Sequence, residues 1–479
     1  MTRSVCLSLV VVAMLGFAAS AHAAPVYVLD GERVVVEHQR FAGSTELPTV
    51  RQRVFAAQRR APLGRPTRDA LDALLASGQI DQAAHDARTG VVKRALRSYR
   101  KLTGTRKAEL GAVLLNSDAM GGAGTLTPPR LEPVFLTIDR NRQWWTTGKL
   151  LANGQRVSFS GSEVIWQYYR GQGIELQMLA NFGKVNALWS SKRRTALRQL
   201  VDELVPLAAD RGGPAWEYYF QFGGGRPPWT SSISQGTGVQ SLARAGALLS
   251  DPALTDIALR ALAVFEQPPP SGVRVADGNG SFYVIYTFAP SLRVLNAHLQ
   301  AVIGLFDVAQ LTGDGRAQAL FASGEAEARA IVPSYDTGKW SLYSQSRESD
   351  LSYHRLVTGF LQNLCKRVAQ PVYCDTATRF KEYEDVPPAV SANTSRIRGG
   401  RSARIGFRLD KISRVGVVVR TSGGTTVFST SAVIGRGTHY FTWSRPAKPG
   451  RYSLTVTATD LAGNRAEPSE RSLRILKRR

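Results

Sequence analysis

Cysteine, histidine, lysine and acidic side chains are all scarce in this chain of 479 residues. Its three cysteines, Cys6, Cys365 and Cys374, are too few for a disulfide scaffold or a Cys-rich metal cluster. Six histidines are scattered at positions 22, 38, 85, 298, 354 and 439 without a HExxH motif, which argues against a zinc hydrolase. Glycine-rich loops at 121–124 and 223–225 lack the Lys-Ser/Thr that completes a phosphate cradle. No metal and no cofactor are therefore expected. Past residue 24 no apolar run approaches the ~20 residues that span a bilayer, so stable membrane insertion is not expected.

Basic charge is abundant instead. There are 61 Lys plus Arg against 37 Asp plus Glu, a formal net charge of +24, and only 12 of the basic residues are lysines. Arginine presents a planar fork of donors that matches carboxylate, sulfate or phosphate, so the balance points to an acidic polymer as partner. An Arg-rich surface without a specific partner gives the same count. With 43% hydrophobic and 20% charged residues the chain is globular, and its length predicts two or three domains.

Residues 1–24 read as a signal peptide: Arg3 gives the positive start, Val5 to Phe17 is apolar, and Ala21-His22-Ala23 is a small-x-small cleavage site. Cleavage near Ala23-Ala24 predicts a secreted or cell-surface protein. Cys6 leaves with the leader, and Cys365 and Cys374 remain as a pair suited to an oxidising compartment, a disulfide joining one helix to the next. Residues 25–160 open with a strand pattern at Val26 to Val36, broken at Asp30-Gly31, and pass through an Arg-rich stretch to helical spacing from Thr67 to about Asn116. Val134–Ile138, Trp144–Leu151 and Val157–Ser160 then read as short strands.

Residues 161–385 alternate helical patterns with Gly-, Pro- and Trp-rich loops. Leu188–Asp210, Gly236–Leu249, Thr255–Phe265, Leu292–Thr312, Ala317–Ile331 and Leu351–Val368 run at helical spacing, and such pairs suggest an (α/α) toroid. Period-two runs return at 401–409, 415–420, 425–429, 438–443, 451–459 and 473–476. Residues 386–479 thus predict a β-sandwich, and Pro449 to Val456 with Asp460 to Asn464 resembles the late strands of bacterial immunoglobulin-like modules. The expected fold is multidomain α+β: a toroid-like helical domain, preceded by a small mixed helix and strand region and followed by an immunoglobulin-like sandwich.

Three blocks of the helical segment stand in register with one known family. The first is Trp229-Thr230-Ser231-Ser232-Ile233-Ser234-Gln235-Gly236, leading to Ser241 through Ala245. The second is Tyr286 through Pro290, with Val294-Leu295-Asn296 and Ile303 through Asp307. The third runs Tyr335-Asp336-Thr337-Gly338, Tyr343, Tyr353-His354 and Pro371 to Tyr383. Together they resemble the C-terminal domain of D-glucuronyl C5-epimerases, which act on uronic acid polymers, over about residues 163–385.

That resemblance implies chemistry at C5 of a uronate. A base must take the proton beside the carboxylate, and a cationic or hydrogen-bonding group must hold the charge that develops there. It implies Tyr286, Tyr343 and Tyr353 as the tyrosines of the site, with Trp229, Gln235, Asn296 and His354 around the substrate. Arg347 and Arg355 are near enough in sequence to favour phenolate or hold the carboxylate. The family's carboxylate-binding arginine falls on Ser346, one position before Arg347, and its acidic pair falls on Val284-Ile285. Epimerisation needs a second proton-transfer group on the opposite face, whereas β-elimination needs a proton for the departing C4 oxygen. The expectation is an epimerase on an acidic polysaccharide; a lyase and a non-catalytic glycan binder are the alternatives. Nucleic acid is a distant third as partner. His354 also fits a satisfied structural histidine. Trp216, Tyr218, Tyr219 and Trp229 fit either a sugar platform or a hydrophobic plug.

Overall fold

The computed structural model describes residues 24–39, 61–399, 402–444, 446 and 448–477. Residues 1–23 of the expected leader and the Arg-rich stretch at 40–60 lie outside the described residues. The chain divides between Pro206 and Leu207 into two compact units, a cut that falls inside the 161–385 segment.

In the first unit, β1 (Ala24–Asp30) and β2 (Arg33–Gln39) form a hairpin that turns at Gly31, where φ is 58°. Four helices follow: α1 (Arg65–Ala76), α2 (Gln82–Lys101), α3 (Gly104–Gly122) and α4 (Pro128–Thr147). β3 (Arg156–Phe159), β4 (Trp166–Tyr169) and β5 (Gly173–Leu176) complete a sheet of order β2-β1-β3-β4-β5, with α5 (Met178–Ser190) and α6 (Arg194–Leu204) after it. The strands expected at 134–138 and 144–151 are corrected here, because α4 covers all of the first and the first half of the second, and residues 148–151 form no strand. Pro128 and Pro129 start that helix where no intrahelical N–H is required, and Leu131, Val134, Phe135, Ile138, Asn141 and Trp145 return at threes and fours as its buried stripe. β-branched and aromatic composition suggested strands; the period decides otherwise. Trp144 meets Phe159 and Trp145 meets Tyr168 edge-on, so the helix packs on the sheet. The helix expected at 188–210 is also broken, at Lys192, whose φ is 55°.

The second unit begins with the short strands β6 (Ala209–Asp210) and β7 (Pro214–Ala215). Then come α7 (Ser232–Leu249), α8 (Pro252–Arg260), α9 (Ala263–Glu266), β8 (Arg274–Asp277) and β9 (Gly280–Tyr283). They are followed by α10 (Leu295–Thr312), α11 (Gly315–Ile331), β10 (Leu342–Ser344), β11 (Arg347–Glu348), α12 (Leu351–Val368) and α13 (Pro371–Glu382). α8, α11 and α13 pack against α7, α10 and α12 in turn, so the region is built of helix pairs. α7 and α10 run parallel: a side chain at Gly304 would collide with the Gly236 carbonyl at 2.1 Å, and Gln240 and Arg244 both reach Asp307. The other Asp307 partner is Arg367 of α12, so one carboxylate ties three neighbouring helices near their C-terminal ends. Cys365 and Cys374 form the expected disulfide between α12 and α13.

The C-terminal region is entirely strands: β12 (Val390–Ala392), β13 (Arg396–Arg398), β14 (Ala403–Leu409), β15 (Ser413–Thr421), β16 (Thr426–Ile434), β17 (Gly437–Trp443), β18 (Gly450–Asp460) and β19 (Ser469–Leu476). They form two sheets, β12-β14-β17 and β13-β19-β18-β15-β16. Alternate residues from both sheets, including Ile405, Phe407, Val415, Val417, Leu454 and Val456, share one buried core. Each period-two run expected from the sequence falls on a strand.

Candidate active site

Because α7, α10 and α12 lie side by side, the loops that feed their N-termini can meet. The backbone shows that they do. Thr287 N–H donates to the Thr230 carbonyl at 3.1 Å and Ser232 N–H to the Val284 carbonyl at 3.2 Å, binding the loop before α10 to the loop before α7. Val294, the N-cap of α10, bridges to Ser344 of β10, which brings in the loop before α12.

The three tyrosines converge there. Tyr343 lies on β10 and Tyr353 in the first turn of α12, with ring centroids 4.8 Å apart and edge to face. Tyr286, on the loop before α10, lies near enough to counter in part the burial that raises the pKa of the Tyr343 phenol, whose buried hydroxyl has no hydrogen-bond partner among the described residues. Burial pushes the Tyr343 phenol well above its ordinary pKa, Arg347 pulls it back, and the Asp350 carboxylate pushes it up again. The group is therefore a neutral hydroxyl at neutral pH, able to donate a proton. Arg347, exposed, sets its guanidinium 5.8 Å from the Tyr343 ring centroid. Asp350 caps α12 by accepting from Tyr353 N–H at 2.9 Å, which fixes the start of the helix that carries Tyr353. Asn296, in the first turn of α10, is buried, and its Oδ1 finds no hydrogen-bond partner among the described residues.

Other expected residues have different work. His354 is fully buried and stacks on Trp340 at 3.6 Å, with Nε2 donating to the Phe380 carbonyl and Nδ1 accepting from Ser341. Burial lowers its pKa to about 4, so it is a neutral structural histidine and not a substrate contact. Gln235 Nε2 donates to the Trp216 carbonyl at 2.6 Å and to Thr230 Oγ1 at 2.8 Å, which commits it to holding the loop. Arg355 points away from the tyrosines and pairs with Glu384 at 2.7 Å. Two positions along a helix lie on nearly opposite sides, which separates Arg355 from Tyr353. Trp229 is 1% exposed, stacks on Tyr218 and donates its indole N–H to the Phe220 carbonyl. With Trp216, Tyr218 and Tyr219 also buried, this cluster is a hydrophobic plug behind Tyr286 and not an open platform. Val284 and Ile285 are both buried.

Sequence reasoning missed a clamp on the Tyr343 hairpin. Glu348 of β11 is buried and accepts Ile412 N–H at 3.0 Å and Arg436 N–H at 2.6 Å from the C-terminal strands. Lys411, 1% exposed, pairs with Asp460, donates to the Tyr383 and Val386 carbonyls, and lies 4.8 Å over the Trp340 ring. Trp340 carries His354 on its face. Nothing in the local sequence around Glu348 marks it as buried, since its partners lie 64 and 88 positions away. Among the described residues no group of three or more His, Cys, Asp or Glu could hold a metal, and no helix is long and apolar enough to cross a membrane.

Residues 211–382 match the family model of the D-glucuronyl C5-epimerase C-terminus. A D-glucuronyl C5-epimerase of Caenorhabditis elegans is 31% identical over 130 residues, which cover 24% of this chain and 21% of that protein. The chain thus spans about a fifth of the length of this curated relative. Among solved structures, an endo-β-1,4-glucanase of Acetobacter xylinum overlays at a TM-score of 0.35 with 13% identity, covering 47% of this chain and 74% of that one. A cellobiose 2-epimerase of Spirochaeta thermophila overlays at 0.34 with 13% identity, covering 57% and 72%. Overlays this loose carry no weight for fold or function.

Proposed function

From the match of residues 211–382 to the family model of the D-glucuronyl C5-epimerase C-terminus, we propose that this protein is an exported uronate C5-epimerase acting on an acidic polysaccharide. The observation that carries the reading is the meeting of Tyr286, Tyr343 and Tyr353 in the matched segment. Arg347 holds the uronate carboxylate, and Asn296 Oδ1 accepts from a sugar hydroxyl. Tyr353, the most exposed of the three, takes the C5 proton as phenolate. The electron pair of the broken C–H bond passes into the carboxylate, which the Arg347 guanidinium stabilises. Tyr343, held neutral by burial, donates a proton to the opposite face of C5. One phenol is ionised and one neutral before and after the step, so charge and protons balance.

The same proposal makes the helix pairs part of an (α/α) toroid and the two C-terminal sheets an immunoglobulin-like module, with domains at 25–160, 161–385 and 386–479. Export through the leader at residues 1–24 is consistent with the Cys365–Cys374 disulfide. A second reading, β-elimination, is favoured by one observation: the positions of the family's acidic pair are the buried apolar Val284 and Ile285. In that case Tyr343 protonates the departing C4 oxygen. Incubation with polyglucuronate in D₂O separates the two. Deuterium at C5 with iduronate formed supports the epimerase; absorbance of an unsaturated uronate supports the lyase. Neither signal with retained binding leaves a glycan-binding protein.

A further inference from the structure

The outer face of the five-stranded C-terminal sheet carries a charge pattern that folding alone does not account for. Through the middle of β13, β19, β18 and β15 the inward positions are apolar: Ile397, Leu473 and Ile475, Leu454 and Val456, Val417 and Val419. The intervening outward positions carry Arg396 and Arg398, Arg474, Arg451, and Arg414 and Arg420, all exposed. Strand register places Arg396 opposite Arg474, and Arg474 opposite Arg451. Three guanidinium groups therefore start from one row across three strands, about 4.8 Å from strand to strand. Arg420 pairs with Ser453, one outward position along β18 from Arg451, so it extends the group. Like charges directly opposite one another destabilise a sheet. Among the described residues none of these six arginines is paired with a carboxylate, and the only acid at an outward position of the five strands is Glu470, two outward positions from Arg474.

Most of the other outward positions are short hydroxyl side chains, Ser472, Ser453, Thr455, Thr457, Ser429 and Ser431, with Gly416, Val418 and Val433 among them. We propose that this arginine and hydroxyl face is a second binding surface, for an extended anionic polysaccharide, separate from the tyrosine site. Charge complementarity names the occupant. A chain bearing carboxylates at regular intervals offers each guanidinium a bidentate acceptor and the hydroxyls a polar, flat partner. The choice of a uronate polymer over other polyanions rests on the epimerase reading, whereas the location rests on the register and exposure of the arginines.

The test compares the full chain with the Arg396→Ser/Arg451→Ser/Arg474→Ser variant, with polyglucuronate as probe at low and at high salt. Neutral dextran and duplex DNA are the controls. The expected result is affinity for polyglucuronate that weakens about tenfold in the triple variant, the loss of three charge-assisted contacts, with a smaller dependence on salt. Dextran does not bind, and DNA binds more weakly than polyglucuronate. The variant melts no lower than the parent, since it relieves repulsion at exposed positions, and polyglucuronate raises the melting temperature of the parent more than that of the variant. Equal affinity of the two proteins for polyglucuronate would overturn the proposal, and so would tighter binding of DNA. The readout is binding, so absence of C5 exchange would defeat the catalytic reading and leave this result standing.

Discussion

Tyr343 and Tyr353 differ from their neighbours in what removing one oxygen does. Tyr353 is half-buried in the first turn of α12, and its ring meets Tyr343 edge-on. Tyr353→Phe keeps that ring contact and removes the proton acceptor, so turnover should fall by 10²-fold or more, on the scale of a lost general base, with polymer binding unchanged. Steady-state kinetics alongside equilibrium binding checks this, and an unchanged rate removes Tyr353 from the chemistry. His354 makes the opposite prediction. Its pKa is lowered to about 4 and that of the buried His298 to about 3, from an ordinary 6.5. The folded state resists protonation that the unfolded chain accepts, so stability is full above pH 6.5 and declines as pH falls toward 4. For His354 the decline is about 3 kcal/mol at its limit. Urea unfolding at pH 7.5 and pH 5 should show it, and His354→Phe, though less stable at pH 7.5, should flatten the slope. A slope unaltered by that substitution would mean that His354 is not buried neutral.

At the scale of elements, the hairpin of β10 and β11 is where catalysis and architecture meet. Tyr343 and Arg347 stand on it, and the Glu348 carboxylate holds it to the strands through Ile412 and Arg436. Glu348→Ala takes the acceptor from two partly buried N–H groups and frees the hairpin. It should lower kcat more than it raises KM on short uronate oligosaccharides, and Glu348→Gln, which keeps one acceptor oxygen, should recover part of the loss. A variant with unchanged kcat would show that the clamp does not position Tyr343. The α7 and α10 pair is less forgiving: Gly304→Val drives a side chain into the Gly236 carbonyl and should cost more than the 1–3 kcal/mol of ordinary overpacking, read as a lowered denaturation midpoint. Much of this layer was legible in the sequence. The helical periods and the strand alternation after residue 400 follow from patterns local to each segment, whereas Tyr286, Tyr343 and Tyr353 were singled out by the family resemblance and not by any local pattern. What was not legible depends on distant partners. His354 is fixed by the Phe380 carbonyl, Gln235 by Trp216 and Arg355 by Glu384, and no local pattern names those atoms. The helix α4 was misread for another reason: its branched and aromatic residues suit a strand, and only their period gives the helix away.

At the scale of the whole molecule, a basic chain presents a tyrosine site in one region and an arginine face in another, and one disulfide links α12 to α13. Breaking the disulfide by Cys365→Ala/Cys374→Ala should cost about 2–3 kcal/mol through a loop of about ten residues, with the fold kept, as read by denaturation under non-reducing conditions. A cost near zero would mean that the two helices are held by packing alone. The positive charge that opened the question becomes in this account a property of place: guanidinium groups stand at the Tyr343 hairpin and across one sheet face. The central claim remains the chemistry at C5. Its most direct test is the NMR spectrum of polyglucuronate after incubation with the protein in D₂O. The account predicts deuterium at C5 and the appearance of iduronate, both abolished by Tyr353→Phe. A polymer that binds and returns with C5 still carrying hydrogen, and no unsaturated ends, would contradict it.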